Sequence, residues 1–245
     1  MSRIVERLRA KLVPMEVLVT GVETAAVGCI DVRFVAPRPF AAGDVLAVRV
    51  GGRGGAVGGT WRRYTVADTE GSTGRLVIER NEIGAAAVLF AGLRSGDRLL
   101  VRGPEPAVLA PEGAGPIVVV SDLTGLATIT AVVRRSRDGG RRDRVEAAVV
   151  LDDHADERSA GAIPVRSVGE LLRDGPDELA VLRRSAELDD WITQRYRAHA
   201  DGLRFLAVGG HDLTTSARRA ARAAGARPGL LRTRTYWKPG RTGLE

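Results

Sequence analysis

The sequence predicts two domains: an antiparallel β-barrel or sandwich, then an α/β layer with a mostly parallel sheet. Three observations carry this. Segments 16–22, 29–35, 45–50, 62–66, 75–79 and 98–101 are short, β-branched, and separated by Gly, Pro or Asp turns, as in antiparallel barrels and sandwiches. A Pro- and Gly-rich stretch follows over 103–116, which reads as a linker. After it, continuous apolar runs alternate with helical patterns, as in α/β proteins. A chain of 245 residues accommodates two domains of common size. The expected division is 1–104, a linker over 105–115, and 116–245.

Taken in order, residues 1–12 read as a short amphipathic helix, with Ile4, Val5, Leu8 and Leu12 at helical spacing and Pro14 as its stop. The period then changes to two. The glycine-rich run 51–60 is a loop, and Trp61-Arg62-Arg63-Tyr64-Thr65-Val66 a strand after it. Between the fifth and sixth strands, 84–93 is one short helix that starts from small residues, Gly84-Ala85-Ala86-Ala87. Small residues let backbone N–H groups approach a ligand, and a helix N-terminus favours phosphate.

Ile117-Val118-Val119-Val120 reads as a strand buried on both faces. A helix is expected through about Arg134, a strand over 145–151, a short strand over 163–165, and a helix from Ser167. Residues 176–199 are expected to be helical, 203–208 a strand, 212–224 a helix closed by Gly225, and 231–236 the last strand. Ligands of such sheets sit at the carboxyl ends of strands. The candidate ends are Ser121-Asp122, Gly209-Gly210 and Tyr236-Trp237.

The net charge is +7, yet lysine occurs only at Lys11 and Lys238. The arginines are dispersed among acids and do not interleave with aromatics as single-strand binders require. Nucleic acid is therefore not expected as a partner, whereas an anionic small molecule is. No run is apolar enough to span a bilayer and residues 1–11 lack a signal-peptide core, so a cytoplasmic protein is expected. Cys29 excludes an internal disulfide and reads as a core residue. His154 and His199 are too isolated for a metal site, and His211 reads as a surface or helix-start histidine rather than a catalytic one.

On the strand after the loop, Arg62 presents a fork for phosphate, Tyr64 an aromatic face, and Thr65 a hydroxyl. A half-buried strand of ordinary kind would look the same. A barrel followed by an α/β half, with Arg62-Arg63-Tyr64-Thr65 matching Arg-x-Tyr-Ser/Thr, resembles the ferredoxin-reductase superfamily. Thr235-Tyr236-Trp237-Lys238-Pro239-Gly240-Arg241-Thr242-Gly243 is similar to the Gly-Tyr-Trp-x-x-Gly-Arg-Thr-Gly ending of siderophore-interacting proteins. Residues 121–129, Ser-Asp-Leu-Thr-Gly-Leu-Ala-Thr-Ile, and Ala207-Val208-Gly209-Gly210 resemble two further turns of that family.

The resemblance implies a six-stranded FAD-binding barrel followed by a Rossmann-like NAD(P)H domain. It implies reduction of ferric siderophores, with iron released as Fe(II). Arg62 would meet the flavin pyrophosphate, Tyr64 would stack on the ring system, and Thr65 would bond near the reactive nitrogen. Val66, Arg80, Asn81, Gly84, Ala85, Ala86 and Ala87 would complete the cofactor site, with Tyr236 and Trp237 covering it. Ser121, Asp122, Thr124, Gly209 and Gly210 would meet the nicotinamide nucleotide. Lys238 and Arg241 would attract an anionic ferric chelate. The flavin carries the chemistry, so neither a catalytic side chain nor a bound metal is required. A monomer or weak dimer is expected.

The chain departs from the family pattern at Ala67, Arg80-Asn81, Ala87 and Gly210, where polar contacts are mostly lost. Two alternatives follow: a non-catalytic relative that binds a siderophore or another small ligand, and a general NAD(P)H:flavin reductase.

Overall fold

The computed structural model describes residues 13–25, 28–51, 59–80, 84–106, 109–138, 142–151, 165–172, 174–183, 185–199 and 202–239. The expected helix over 1–12, the body of the glycine-rich loop, and Asn81, His154 and Arg241 lie outside them. The chain divides into two compact units, Met1–Ala107 and Val108–Glu245.

In the first unit, β1 (Met15–Thr24), β2 (Cys29–Val35), β3 (Val45–Val50), β4 (Thr60–Glu70), β5 (Thr73–Glu79) and β6 (Arg98–Glu105) form a closed barrel. Their order is β1-β2-β5-β4-β3-β6, and every pair is antiparallel. A single helix, α1 (Ala85–Gly92), lies between β5 and β6 in the chain. Strand alternation turns Val17, Val32, Phe34, Leu46, Val48, Val66 and Leu76 into one core. Two features exceed the sequence reading. Strand β4 runs well past 62–66 through a bulge between Val66 and Asp68. Strand β6 continues through Gly103-Pro104 to Glu105, into the stretch read as linker. Proline lacks the N–H a ladder needs; the β3–β6 register accommodates it by a shift between Val45 and Ala47.

The second unit is a five-stranded parallel sheet ordered β11-β10-β7-β8-β9. Its elements are β7 (Ile117–Ser121), a 3-10 turn (Leu123–Gly125), α2 (Leu126–Asp138), β8 (Val145–Val150), α3 (Val165–Leu172), β9 (Glu178–Leu182), α4 (Ser185–Ala198), β10 (Arg204–Gly210), α5 (His211–Ala223) and β11 (Leu231–Trp237). Two expectations are corrected here. Val165, read as part of a short strand, opens α3, two residues before the expected start at Ser167. Residues 176–199 are not one helix: Glu178–Leu182 forms the edge strand β9, paired with β8 from Glu146↔Glu178 to Val150↔Leu182. The helix formers Glu178, Leu179 and Ala180 yield there to pairing with a strand that already exists.

An ion-pair network lies where β8 and β9 begin. Glu146 is fully buried; it accepts from Arg195 Nη1 at 2.9 Å, Arg144 Nε at 2.5 Å and His199 Nε2 at 2.8 Å. This network lies at the amino ends of the strands, opposite the ends where ligands bind in such sheets. No helix among the described residues is long and apolar enough to cross a membrane.

Candidate functional site

Of the cofactor residues expected from the sequence, Arg62, Tyr64, Thr65 and Val66 lie on β4, and Gly84 to Ala87 at the start of α1. On β4, Arg62 and Tyr64 share the inward face with Val66, whereas Trp61, Arg63 and Thr65 alternate to the other face. Their partners across the ladder are Val48 for Arg62 and Leu46 for Tyr64. Tyr64 is half-buried, and its ring meets Phe90 of α1 edge-on, with centroids 5.2 Å apart. Burial pushes the Tyr64 phenol up to about 12, against the opposing pull of the nearby Arg62 guanidinium. The phenol is thus neutral at any ordinary pH.

Helix α1 arrives at the same end of the barrel. A Cβ on Gly51, at the end of β3, would lie 3.2 Å from that of Ala85. Val50 of that strand pairs with Thr60, two residues before Arg62. Gly84 precedes the helix at φ 107°, with open space where a Cβ would stand and, being glycine, no side chain of its own to cap the first turn. The first turn holds no acidic residue. The amino end of α1 and Arg62 toward one end of the barrel suit a pyrophosphate, and the exposed part of the mostly buried Tyr64 ring suits a flat apolar ring system. These residues fit FAD. The loss of a hydroxyl at Ala87 leaves the backbone donors of the turn in place.

Arg80 follows β5 and borders a cavity of about 410 Å³ on the barrel, with Arg94, Ile30 and Phe90 among its other walls. The cavity shares Phe90 with the Tyr64 contact. Phe90 is not among the residues expected from the sequence, although a large ring within an Ala- and Gly-rich helix of an aromatic-poor chain is itself a signal. Arg102, whose guanidinium stands 4.1 Å from the Trp61 ring centroid, gave no local signal, because the pair meets only through the barrel. Cys29 is fully buried, its thiol pushed up to about 12 by burial and by Glu79, as the core reading expects.

In the α/β unit the three candidate strand ends meet. Asp122 is the hub. Its Oδ1 accepts the Thr124 N–H at 3.0 Å and the Thr124 hydroxyl; its Oδ2 accepts the Gly210 N–H at 2.7 Å and the Trp237 indole N–H at 3.1 Å. Strand order places this hub between β7 and β10, where the sheet changes direction of growth. Glycine is required twice beside it. A Cβ on Gly209 (φ 129°) would lie 2.6 Å from the Asp122 carboxylate, and one on Gly210 would lie 2.7 Å from the Trp237 ring. Ser121 is fully buried, and among the described residues no hydrogen bond reaches its Oγ. Tyr236, half-buried, hydrogen-bonds through its hydroxyl to Thr128 Oγ1 at 2.6 Å. Lys238, also half-buried, follows Trp237. No group of three or more His, Cys, Asp or Glu residues among those described could hold a metal ion.

No family model matches the sequence, and no curated protein matches it. Solved structures do. The chain is similar to a ferredoxin NADP+ reductase from Neisseria gonorrhoeae with bound FAD and NADP, at 17% identity and a TM-score of 0.69, covering 91% of this chain and 98% of that one. It is also similar to a siderophore utilization protein from T. fusca (21% identity, TM-score 0.66, 96% of each chain). A siderophore-interacting protein from Aeromonas hydrophila matches at 17% identity and a TM-score of 0.69, over 94% of this chain and 93% of that one. At these identities the likeness shows the fold alone: a closed antiparallel barrel followed by a five-stranded parallel α/β sheet, shared with those three structures.

Proposed function

We propose that this protein is an FAD-dependent reductase that takes electrons from NAD(P)H and delivers them to a ferric siderophore. The observation that supports the reading is that Arg62, the partly buried Tyr64 ring and the amino end of α1 lie toward one end of the barrel. The Arg62 guanidinium and the α1 N–H groups would hold the pyrophosphate, and Tyr64, kept neutral, would support the ring system. Bound FAD would accept a hydride from NAD(P)H and release its two electrons one at a time to two ferric ions. Lys238 and Arg241 would draw in the anionic chelate, which holds the reduced ion more weakly and lets it go.

The test is spectroscopic. Purified protein with added FAD should retain a flavin spectrum after desalting, NADPH should bleach it without oxygen, and a ferric hydroxamate should restore the colour while an Fe(II) chelator reports iron. Protein that does not retain FAD would reject the proposal. One observation favours a non-catalytic relative instead: the Asp122 carboxylate already takes the Gly210 donor in the strand-end crevice. That reading predicts bound FAD that NADPH never bleaches.

A further inference from the structure

Two helix amino ends converge on the Asp122 carboxylate. The 3-10 turn Leu123–Gly125, which leads into α2, begins at Asp122 itself. Helix α5 begins after Gly210, which has no side-chain cap and donates its own N–H to Asp122 Oδ2. Converging N–H groups and helix dipoles at a strand-order reversal are what a nucleotide phosphate seeks in an α/β sheet. Here the chain supplies the anion itself. The indole of Trp237 lies over Gly210 and ties its N–H to the same carboxylate oxygen. A Cβ at Gly210 would strike the indole. The crevice is thus built to hold this carboxylate and this ring.

The geometry points to Asp122 as a specificity-determining residue: its carboxylate occupies the phosphate position of the strand-end crevice and seats Trp237 across it, so a dinucleotide enters only by displacing both. This rests on the reading that the α/β unit takes a nicotinamide nucleotide. The consequence is weak affinity for NAD(P)H, raised when the carboxylate is neutralised. Asp122→Asn keeps the shape and removes the charge. An amide has one acceptor oxygen, so it serves either Thr124 or the Gly210 and Trp237 pair, not both.

The experiment labels the full-length protein with 5-fluorotryptophan and follows its tryptophan resonances by fluorine NMR. Trp237→Phe assigns the Trp237 signal by its disappearance. In Asp122→Asn that signal should shift while those of Trp61 and Trp191 stay. Calorimetric titration with NADPH should show affinity raised roughly fivefold or more, since a like charge is removed and a donor freed. Trp237→Phe leaves the Asp122 cap and charge intact and loses one hydrogen bond; it should gain about twofold. It also serves if Asp122→Asn does not fold. A Trp237 resonance unmoved by Asp122→Asn, or NADPH affinity raised in neither variant, would overturn the inference. The absorption spectrum with FAD is a separate readout, so loss of the proposed reductase function is distinguishable from failure here.

Discussion

Asp31 and Arg75 are almost wholly buried in the barrel, where Arg75 Nε and Nη2 reach the two Asp31 carboxylate oxygens at 2.8–3.0 Å. Asp31→Ala would remove the paired carboxylate from the buried Arg75 guanidinium and should cost about 3 kcal/mol, read as a lower urea midpoint. Cys29 gives a second check. With the thiol pushed up to about 12 and no exposed surface, iodoacetamide at pH 8 should leave the native protein unlabelled and modify it readily in denaturant. At Tyr64 the expectation is functional. Tyr64→Ala removes the ring that would support the flavin and should weaken FAD retention about tenfold, measured by flavin fluorescence on titration. None of the three effects comes from hydropathy alone. Cys29 was legible because it sits in an apolar strand pattern. The partner of Arg75 was not, since Asp31 lies on another strand.

At the scale of elements, β7 and the start of α2 approach so closely that Gly125 is mandatory. A Cβ there would stand 2.5 Å from Ser121 Cβ and 2.7 Å from Val208 Cγ2. Gly125→Ala should therefore destabilise the α/β unit by about 1–3 kcal/mol, seen as a lower melting temperature. The β8–β9–α4 junction makes a pH prediction. Burial raises the Glu146 carboxyl, but hydrogen bonds from Arg195, Arg144 and His199 outweigh it and hold the group below the ordinary range. A depressed folded-state value gives stability that is present above the unfolded value and lost as pH falls through the folded one. Thermal melts between pH 7 and pH 3 should thus show a steep acid loss that Glu146→Gln flattens, with lower stability already at pH 7.

For the whole molecule, the fold limits the chemistry to a class and the residues then select within it. A barrel and a parallel sheet in this order are shared by reductases with different acceptors, and fold alone does not name one. The flavin-retention and ferric-reduction measurement decides at this scale. Wild-type protein should reduce a ferric hydroxamate with NADPH, and Arg62→Ala should lose most of the bound FAD and the activity with it.

Read by itself, the sequence determined both layers and their order, because residue periodicity and turn chemistry are local and strands of a barrel alternate whatever they pair with. It also marked Arg62, Tyr64, Gly84 and the three strand ends. Edge strand β9 was hidden by helix-forming residues until β8 stood beside it. Only the tertiary structure showed that Asp122, Gly210 and Trp237 meet at one carboxylate, and that Phe90 rests against Tyr64. Those contacts join residues distant in the chain. Their energies arise from packing and from donors aligned in space, which no local pattern encodes.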